Sequence, residues 1–480
     1  MLIQGNAMLL AKKHDLSTLS YDISPDIFRA CDIRGVVDRS LTTDIAYLLG
    51  LSFGTLAQQK KQTRVVVGRD GRHSGVFLSD SLCQGLGDSG CEVIDLGQVP
   101  TPLVYYATHA LETGTGIMVT GSHNPPDYNG FKMMMRGETL AEEQVQAIYH
   151  CIQAQKFTLG EGTLTEVNIL DRYIQEVVGS VTLSRRLKIV VDCGSGVVGV
   201  LAEKLFRALG CEVIALYCEV DGNFPFHHPD PGQPENLVDL IDKVKAEKAD
   251  LGLAFDGDGD RLGLVTNTGE IIWPDRLMML FAQDLLSRAP QSSAWPIIYD
   301  VKCSKNLTDL ITQYGGTPVM YKTGHALIKR KMREINAPLA GEMSGHFFFK
   351  ERWYGFDDAC YAAARLLEIV SKNTQSLSDI FQTFPNSVCT PEINIPLAED
   401  KKFVFIEKLK TSEVFEQDQK NMIDGLRVET PQGWGLVRAS NTTPCLVLRF
   451  EAVDMDYLLA LQQRFKKAML VILPDLLLPF

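Results

Sequence analysis

Long apolar runs are missing. No stretch of this 480-residue chain approaches the roughly 20 consecutive apolar residues that a membrane-spanning helix needs, so a soluble protein with no membrane partner is expected. An excess of basic charge is missing too. Lys and Arg number 47 against 59 Asp and Glu, a formal net charge of −12, and no nucleic-acid partner is expected because such binding depends on a phosphate-neutralising surface. A local cluster of Arg and Lys can still dominate one cleft, so anionic small molecules stay within reach. The eleven cysteines contain no C-x-x-C pair and no Cys/His cluster at zinc spacing; odd in number and scattered from Cys31 to Cys445, they read as free thiols of a reducing cytoplasm. The opening MLIQGNAMLLAKKHDLSTLS has a short apolar patch with no basic segment ahead of it and no small-residue cleavage site. A secretory signal is therefore not expected, and residues 1–25 read as a poorly ordered tail.

What the chain does have is repetition. At 480 residues it exceeds the size at which one hydrophobic core keeps growing, so several domains are expected. A buried β-run, a helical stretch and a glycine leading into a second β-run recur three times, starting at Arg64, Lys188 and Pro296, with second runs starting at Gly90, Gly210 and Gly315. Strand, helix, strand at this spacing is the βαβ unit, and it predicts three related α/β domains. The helix of the second copy is expected from about Val198. The last hundred residues differ: a helical Lys401 to Leu409, a hairpin around Pro431 to Gly433, a strand Cys445 to Phe450 and an amphipathic helix from about Asp454 make an α+β meander. The expected division is 26–165, 166–270, 271–387 and 388–480.

Each segment carries one polar loop marked by glycine or proline. In the first, strand 116–120 runs into Gly121-Ser122-His123-Asn124-Pro125-Pro126; Gly121 permits an unusual backbone angle and the prolines stop the strand, so Ser122 projects from a rigid loop. The nucleophile elbow of hydrolases is excluded, since it needs glycine where Thr120 stands. His123 is not expected to serve Ser122, because neighbours in an extended segment point to opposite faces. Taken alone, such a serine is more often a turn cap. In the second segment Asp256, Asp258 and Asp260 are separated by glycines after an apolar run. Three such carboxylates repel one another unless a hard cation sits among them. The EF-hand is excluded because its sixth and twelfth positions hold Arg261 and Asn267, so Mg²⁺ completed by a phosphate oxygen fits better.

The third segment offers Lys322-Thr-Gly-His325 and Gly341-Glu342-Met343-Ser344-Gly345-His346. Glu342, Ser344 and His346 share one face of an extended loop, suited to adjacent sugar hydroxyls. Either histidine alone is equally well read as structural. The fourth loop, Arg438 to Pro444, combines a guanidinium, hydroxyls and an amide as a phosphate pocket would, although clusters of Ser, Thr, Asn and Pro are also ordinary loops.

TGSHNP, DGDGDR, GEMSGH and RASNTTP in that order, with FRACDIRG at 28–35, together resemble the α-D-phosphohexomutase superfamily, and within it the bacterial phosphomannomutase/phosphoglucomutase group. The resemblance runs from about Asp26 into the last domain. It implies four domains around a central cleft, three related α/β domains followed by an α+β domain like the TATA-binding protein. It makes Ser122 the phosphoserine and a metal ligand, and Asp256, Asp258 and Asp260 the other Mg²⁺ ligands. Arg34, Lys132 and Arg261 would surround the phosphoryl group, with Lys132 and His346 the candidates for proton transfer. Lys302, His325, Glu342 and Ser344 would hold the sugar and its phosphate, and Arg438, Ser440, Asn441 and Thr442 the phosphate that is not reacting. Two positions depart from the family pattern: Cys31 replaces an aromatic hydroxyl near the ligand, and Phe226 replaces an asparagine in NFPFHHPDPG, suggesting altered packing there. His227 and His228 read as loop architecture.

The implied reaction is reversible interconversion of hexose 1-phosphate and hexose 6-phosphate, of mannose and of glucose, through a 1,6-bisphosphate that turns over in the cleft and also serves as activator. A monomer acting on free hexose phosphates in nucleotide-sugar synthesis is expected. The alternatives are a phosphoglucosamine mutase, disfavoured because such enzymes read GEQSGH and R-x-S-G-T-E-P, a phosphatase, or a sugar-phosphate-binding protein without catalysis.

Overall fold

The computed structural model describes residues 8–9, 15–290, 294–440 and 443–480. Four sheets follow one another along the chain. In the first, strands Arg64–Arg69, Glu92–Gln98 and Gly116–Val119 are parallel, joined by helices His73–Asp88 and Thr101–Ala110, as the apolar runs and their spacing predict. A fourth strand, Tyr128–Met135, returns antiparallel beside Gly116–Val119, and Ile33–Val36 pairs with it at the edge. The segment ahead of Asp26 differs from the tail expected of it. Met8–Leu9 pairs with Thr163–Glu166 at the opposite edge, and Leu19 and Ile23 bury their apolar side chains in the first core. Helices Thr43–Gln59 and His73–Asp88 cross at Gly50 and Gly85: a Cβ there would stand 2.2 Å from Leu82 O and 2.1 Å from Tyr47 O, so only glycine admits the contact.

The second and third sheets repeat this wiring. Lys188–Asp192, Glu212–Leu216 and Leu251–Phe255 are parallel and Leu262–Thr266 antiparallel; Pro296–Asp300, Thr317–Tyr321 and Leu339–Gly341 are parallel and Phe347–Phe349 antiparallel. In all three sheets the repeated strands lie in the order second, first, third, fourth. One position therefore recurs: the connection from the third, parallel strand to the fourth, antiparallel one. It is the segment holding Ser122 in the first sheet, Asp256 to Arg261 in the second and Glu342 to His346 in the third. In the second sheet the helix expected from Val198 starts later, since 197–200 forms a short 3₁₀ turn ahead of Ala202–Ala208.

One contiguous apolar core, from Val66 to Phe384, runs through these three sheets. Tyr106 stacks on Trp353 with ring centroids 5.9 Å apart, and the hydroxyl of Tyr173 donates to Asp358 at 2.9 Å, tying helices Thr101–Ala110 and Leu170–Ser180 to the loop ahead of helix Ala359–Lys372. The last sheet is antiparallel throughout, and helices Glu399–Lys410 and Met455–Ile472 cover one face through Phe405, Leu409, Leu461 and Phe465. Strand Gly433–Ala439 alternates, so Trp434 and Leu436 face away from those helices and pack on Val301 of the third sheet. Among the described residues no helix is long and apolar enough to cross a membrane.

Candidate active site

The buried strand Gly116–Val119 delivers Ser122 to the cleft. Thr120 Oγ1 donates to Asp70 Oδ2 at 2.7 Å and accepts the Ser122 N–H at 2.8 Å. The unusual backbone angle belongs to Ser122 itself, at φ +49°, and Gly121 is needed for a different reason: a Cβ there would come within 2.5 Å of the Arg72 guanidinium. Because the chain turns at Ser122, His123 is not on the opposite face. Its Nδ1 lies 3.3 Å from Ser122 Oγ, and burial together with Arg261, Arg34 and Lys132 holds the imidazole neutral. Ser122 Oγ donates to Asp256 Oδ2 at 3.0 Å.

The aspartate loop is wound around one carboxylate. Asp256 Oδ1 accepts the N–H groups of Gly259, Asp260 and Arg261 at 3.0, 3.1 and 3.1 Å, which leaves its other oxygen turned to Ser122. Asp256, Asp258 and Asp260 are fully buried and bring ligand oxygens within 4.8 Å of one another. Lys132 Nζ bridges Asp258 Oδ2, at 2.7 Å, and Asp260 Oδ2, while Thr101 Oγ1 donates to Asp258. Among the described residues Asp258 Oδ1 is buried with no hydrogen-bond donor, and Asp260 Oδ1 meets only the His346 ring. Two such oxygens beside Asp256 Oδ2 fit a divalent cation. Burial and the two neighbouring carboxylates push the Asp256 carboxyl well up. A second grouping, Asp260, His346 and Asp357, is as compact, but Lys329 Nζ already holds Asp357 Oδ1 at 2.7 Å.

The glutamate loop meets this cluster edge on. Leu262 N–H donates to Gly345 O at 3.0 Å, and His346 Nε2 lies 3.2 Å from Asp260 Oδ1 and 3.4 Å from Arg261 Nε. On its other side His346 Nδ1 lies 3.1 Å from Glu342 Oε2 and 2.8 Å from Ser344 Oγ, so the three residues predicted to share a face do converge. Burial alone would lower the His346 pKa, but Asp260 and Glu342 overcome it and carry it to about 9. Glu342 Oε1 also accepts Gly324 N–H at 2.7 Å, and His325 Nδ1 lies 3.2 Å from Asp357 Oδ2. Arg34 pairs with Asp32 at 2.6 Å on the strand beside Lys132. Lys302 Nζ crosses to Glu392 Oε2 at 2.9 Å, and Arg438 Nε donates to Asp424 Oδ2 at 3.0 Å, its Nη2 buried and without an acceptor among the described residues. Ser440 Oγ lies 2.8 Å from Thr443 Oγ1; Asn441 and Thr442 are outside the described residues.

Comparison with known proteins settles what this arrangement belongs to. Models of the phosphoglucomutase/phosphomannomutase family match in series: α/β/α domain I over residues 25–159, domain II over 171–269, domain III over 273–388 and the C-terminal domain over 392–468. The chain belongs to the phosphoglucomutase/phosphomannomutase family. It is 56% identical over 454 residues to a phosphomannomutase/phosphoglucomutase of Pseudomonas aeruginosa, covering 95% of this chain and 97% of that one. A phosphoglucomutase of Neisseria gonorrhoeae is 50% identical over 448 residues, covering 92% and 96%. Among solved structures, a phosphoglucomutase/phosphomannomutase family protein of Burkholderia thailandensis superposes with a TM-score of 0.91 at 49% identity, covering 95% of this chain and all of that one.

Within that family frame the two departures separate. Cys31 borders the site: a Cβ on Gly324 would stand 3.8 Å from its sulfur, and burial with the charges of Asp32 and Glu342 pushes the thiol up to about 12. Phe226 instead lies on the surface, 60% exposed, stacked on Tyr217 with centroids 4.0 Å apart. His227 holds Asp192 at 3.0 Å and His228 contacts His123 O, so both fasten their loop. Four residues at the site carry no mark in the sequence reading: Asp70, Arg72, Thr101 and Asp357. Gly68-Arg-Asp-Gly-Arg72 is itself a glycine-marked polar loop at a strand end, the signal that found the others.

Proposed function

We propose that this chain interconverts hexose 1-phosphates and hexose 6-phosphates, of mannose and of glucose, using Ser122 as the phosphoryl carrier. The observation that carries the reading is Ser122 Oγ standing 3.0 Å from Asp256 Oδ2, at the rim of three buried carboxylates. Asp256, Asp258 and Asp260 with an oxygen of phospho-Ser122 would hold Mg²⁺, which supplies charge neutralisation at the phosphoryl group. Phospho-Ser122 donates its phosphoryl to the free hydroxyl of the bound sugar, forming the 1,6-bisphosphate. That intermediate turns end for end and returns its other phosphate to Ser122. Hexose 1,6-bisphosphate is accordingly also the activator of an unphosphorylated chain.

The protein groups then have separate tasks. Arg34, Lys132 and Arg261 offset charge on the transferring group. His346, between Asp260 and Glu342, and Lys132, on Asp258 and Asp260, are the groups proposed to exchange a proton with the reacting oxygens. Glu342 and Ser344 hold sugar hydroxyls with His325 and Lys302 alongside, and Arg438 with Ser440, Asn441 and Thr442 takes the distal phosphate of either orientation. Recognition through the 3- and 4-hydroxyls survives the turn and ignores carbon 2, where mannose and glucose differ. All loops come from one chain, in keeping with a monomer, and the eleven free thiols suit a reducing cytoplasm.

Replacement of Ser122 by Ala should abolish both turnover, in an assay coupled to glucose-6-phosphate dehydrogenase, and the added phosphate seen by intact mass. A fully active S122A chain would end the proposal. Turnover of glucosamine 1-phosphate above that of mannose 1-phosphate would move the substrate to the amino sugar.

A further inference from the structure

Resting on the reading of Ser122 as carrier, we infer that Arg72, with Asp70 behind it, is the positioning residue that sets the Ser122 loop and thereby the place of the carrier oxygen before the three aspartates. Arg72 follows strand Arg64–Arg69, caps helix His73–Asp88 and has a fully buried side chain. Its guanidinium donates to four backbone carbonyls of a single loop some fifty residues away: Nη2 to Ser122 O at 2.7 Å and Asn124 O at 2.5 Å, Nη1 to Pro125 O at 2.5 Å and Tyr128 O at 3.0 Å. The carboxylate beside this guanidinium is Asp70. Of the guanidinium Asp70 takes only Nε, at 3.2 Å; the same Oδ2 also accepts Thr120 Oγ1 at 2.7 Å and Gly121 N–H at 3.1 Å from the loop, while Oδ1 accepts the Arg72 N–H at 2.9 Å.

Ser122 is thus gripped on both sides of its Cα. Its N–H reaches Asp70 through Thr120, and its C=O is held by Arg72. The left-handed backbone of Ser122, at φ +49°, is disfavoured for an L side chain and persists where surroundings over-determine it. The clamp is that surrounding. It also serves the meeting of the two loops: a Cβ on Gly257 would come within 2.4 Å of the Ser122 carbonyl oxygen that Arg72 binds. A turned Ser122 peptide would strike the aspartate loop and carry Oγ away from Asp256. Lysine cannot reproduce the clamp, since one ammonium lacks the planar fork that spans four acceptors.

The test uses the full-length chain and glucose 1,6-bisphosphate, following phosphate on Ser122 by intact mass, with S122A as blank. Wild-type chain that takes no phosphate on Ser122 would refute the carrier reading itself; once wild type is labelled, the Arg72 variants decide the clamp. In folded R72K and R72A, kcat and the labelling rate should fall together by about 100-fold while KM for glucose 1-phosphate stays within about threefold, because misplacement of a reacting atom acts on the chemical step. Added guanidinium, and not ammonium, should restore R72A by at least about tenfold, a readout that a purely structural role would not move. Folded R72K with wild-type kcat and labelling rate overturns the inference. Should neither Arg72 variant fold, D70N, which keeps the guanidinium, should label at least about tenfold more slowly, and wild-type labelling by D70N overturns the inference equally.

Discussion

Ser122 has a left-handed backbone, and that single torsion accounts both for its contact with His123 and for a hydroxyl 3.0 Å from Asp256. The aspartates follow the same logic of local geometry. Because Asp256 Oδ1 is consumed by three N–H groups, the charge available to a cation lies on Asp256 Oδ2 and on Oδ1 of Asp258 and Asp260. Asp258→Asn removes one of those charges and keeps the side-chain volume. On chain stripped with EDTA, the Mg²⁺ concentration for half-maximal activity should rise by about tenfold or more, and EDTA alone should silence the wild type until Mg²⁺ is returned. The acidic loop was legible because glycines between three aspartates leave few other readings. The His123 contact was not, since adjacency argues for opposite faces only where the backbone is extended, and nothing in the string Gly-Ser-His-Asn-Pro announces a positive φ at serine.

Helix Ala359–Lys372 begins at Asp358, which accepts the Tyr361 N–H at 2.9 Å, the Tyr173 hydroxyl and Trp353 Nε1 at 3.1 Å. Burial outweighs those hydrogen bonds and raises the carboxyl from 3.8 to about 6. The folded protein therefore keeps this proton up to about pH 6, whereas the unfolded chain releases it near 3.8. Between those values the native state binds more protons, so this group's contribution to stability falls as pH rises. Denaturant unfolding at pH 4.5 and 7 should show a decline in wild type, relative to Asp358→Asn, of about 2 kcal/mol at most. Elements of this kind were readable from runs and spacings: the three βαβ copies, the hairpin Leu426–Thr430 with Gly433–Ala439, and the helix that Asp454 caps. The loop of Asp70 and Arg72 bears the glycine mark, but its hold on the Ser122 loop, like the contacts of Thr101 and Asp357, was not readable, because each partner lies far along the chain and only the folded sheet order brings it there.

Across the whole molecule, the last domain is fastened to the third by polar as well as apolar contacts. Arg427 donates to the carbonyls of Val301 and Cys303 at 2.7 and 2.8 Å, Arg449 binds Asp275 at 3.0 Å, and Trp434 lies 3.8 Å from the Arg427 guanidinium carbon. The segment so gripped carries Lys302, and the strand whose Trp434 packs on Val301 carries Arg438. Trp434→Ala should lower unfolding stability by roughly 3–5 kcal/mol through the lost volume and should raise KM for glucose 1-phosphate more than it lowers kcat. Thermal unfolding with steady-state kinetics on the same preparation checks both. A stable variant with unchanged KM would mean that the two domains hold their phosphate groups independently.

The connection between third and fourth strands, used three times, gives this scaffold an addressable character. Strand pairing ends at Val119, Phe255 and Gly341, so the backbone ladder that holds each sheet owes little to the letters that follow. Within these connections the seat of each loop is set apart from the side chains that would meet the sugar. An engineer seeking a new sugar would vary Glu342, Met343 and Ser344 and leave Thr120 to Ser122, the three aspartates, Asp70 and Arg72 untouched as the fixture that carries the phosphoryl group.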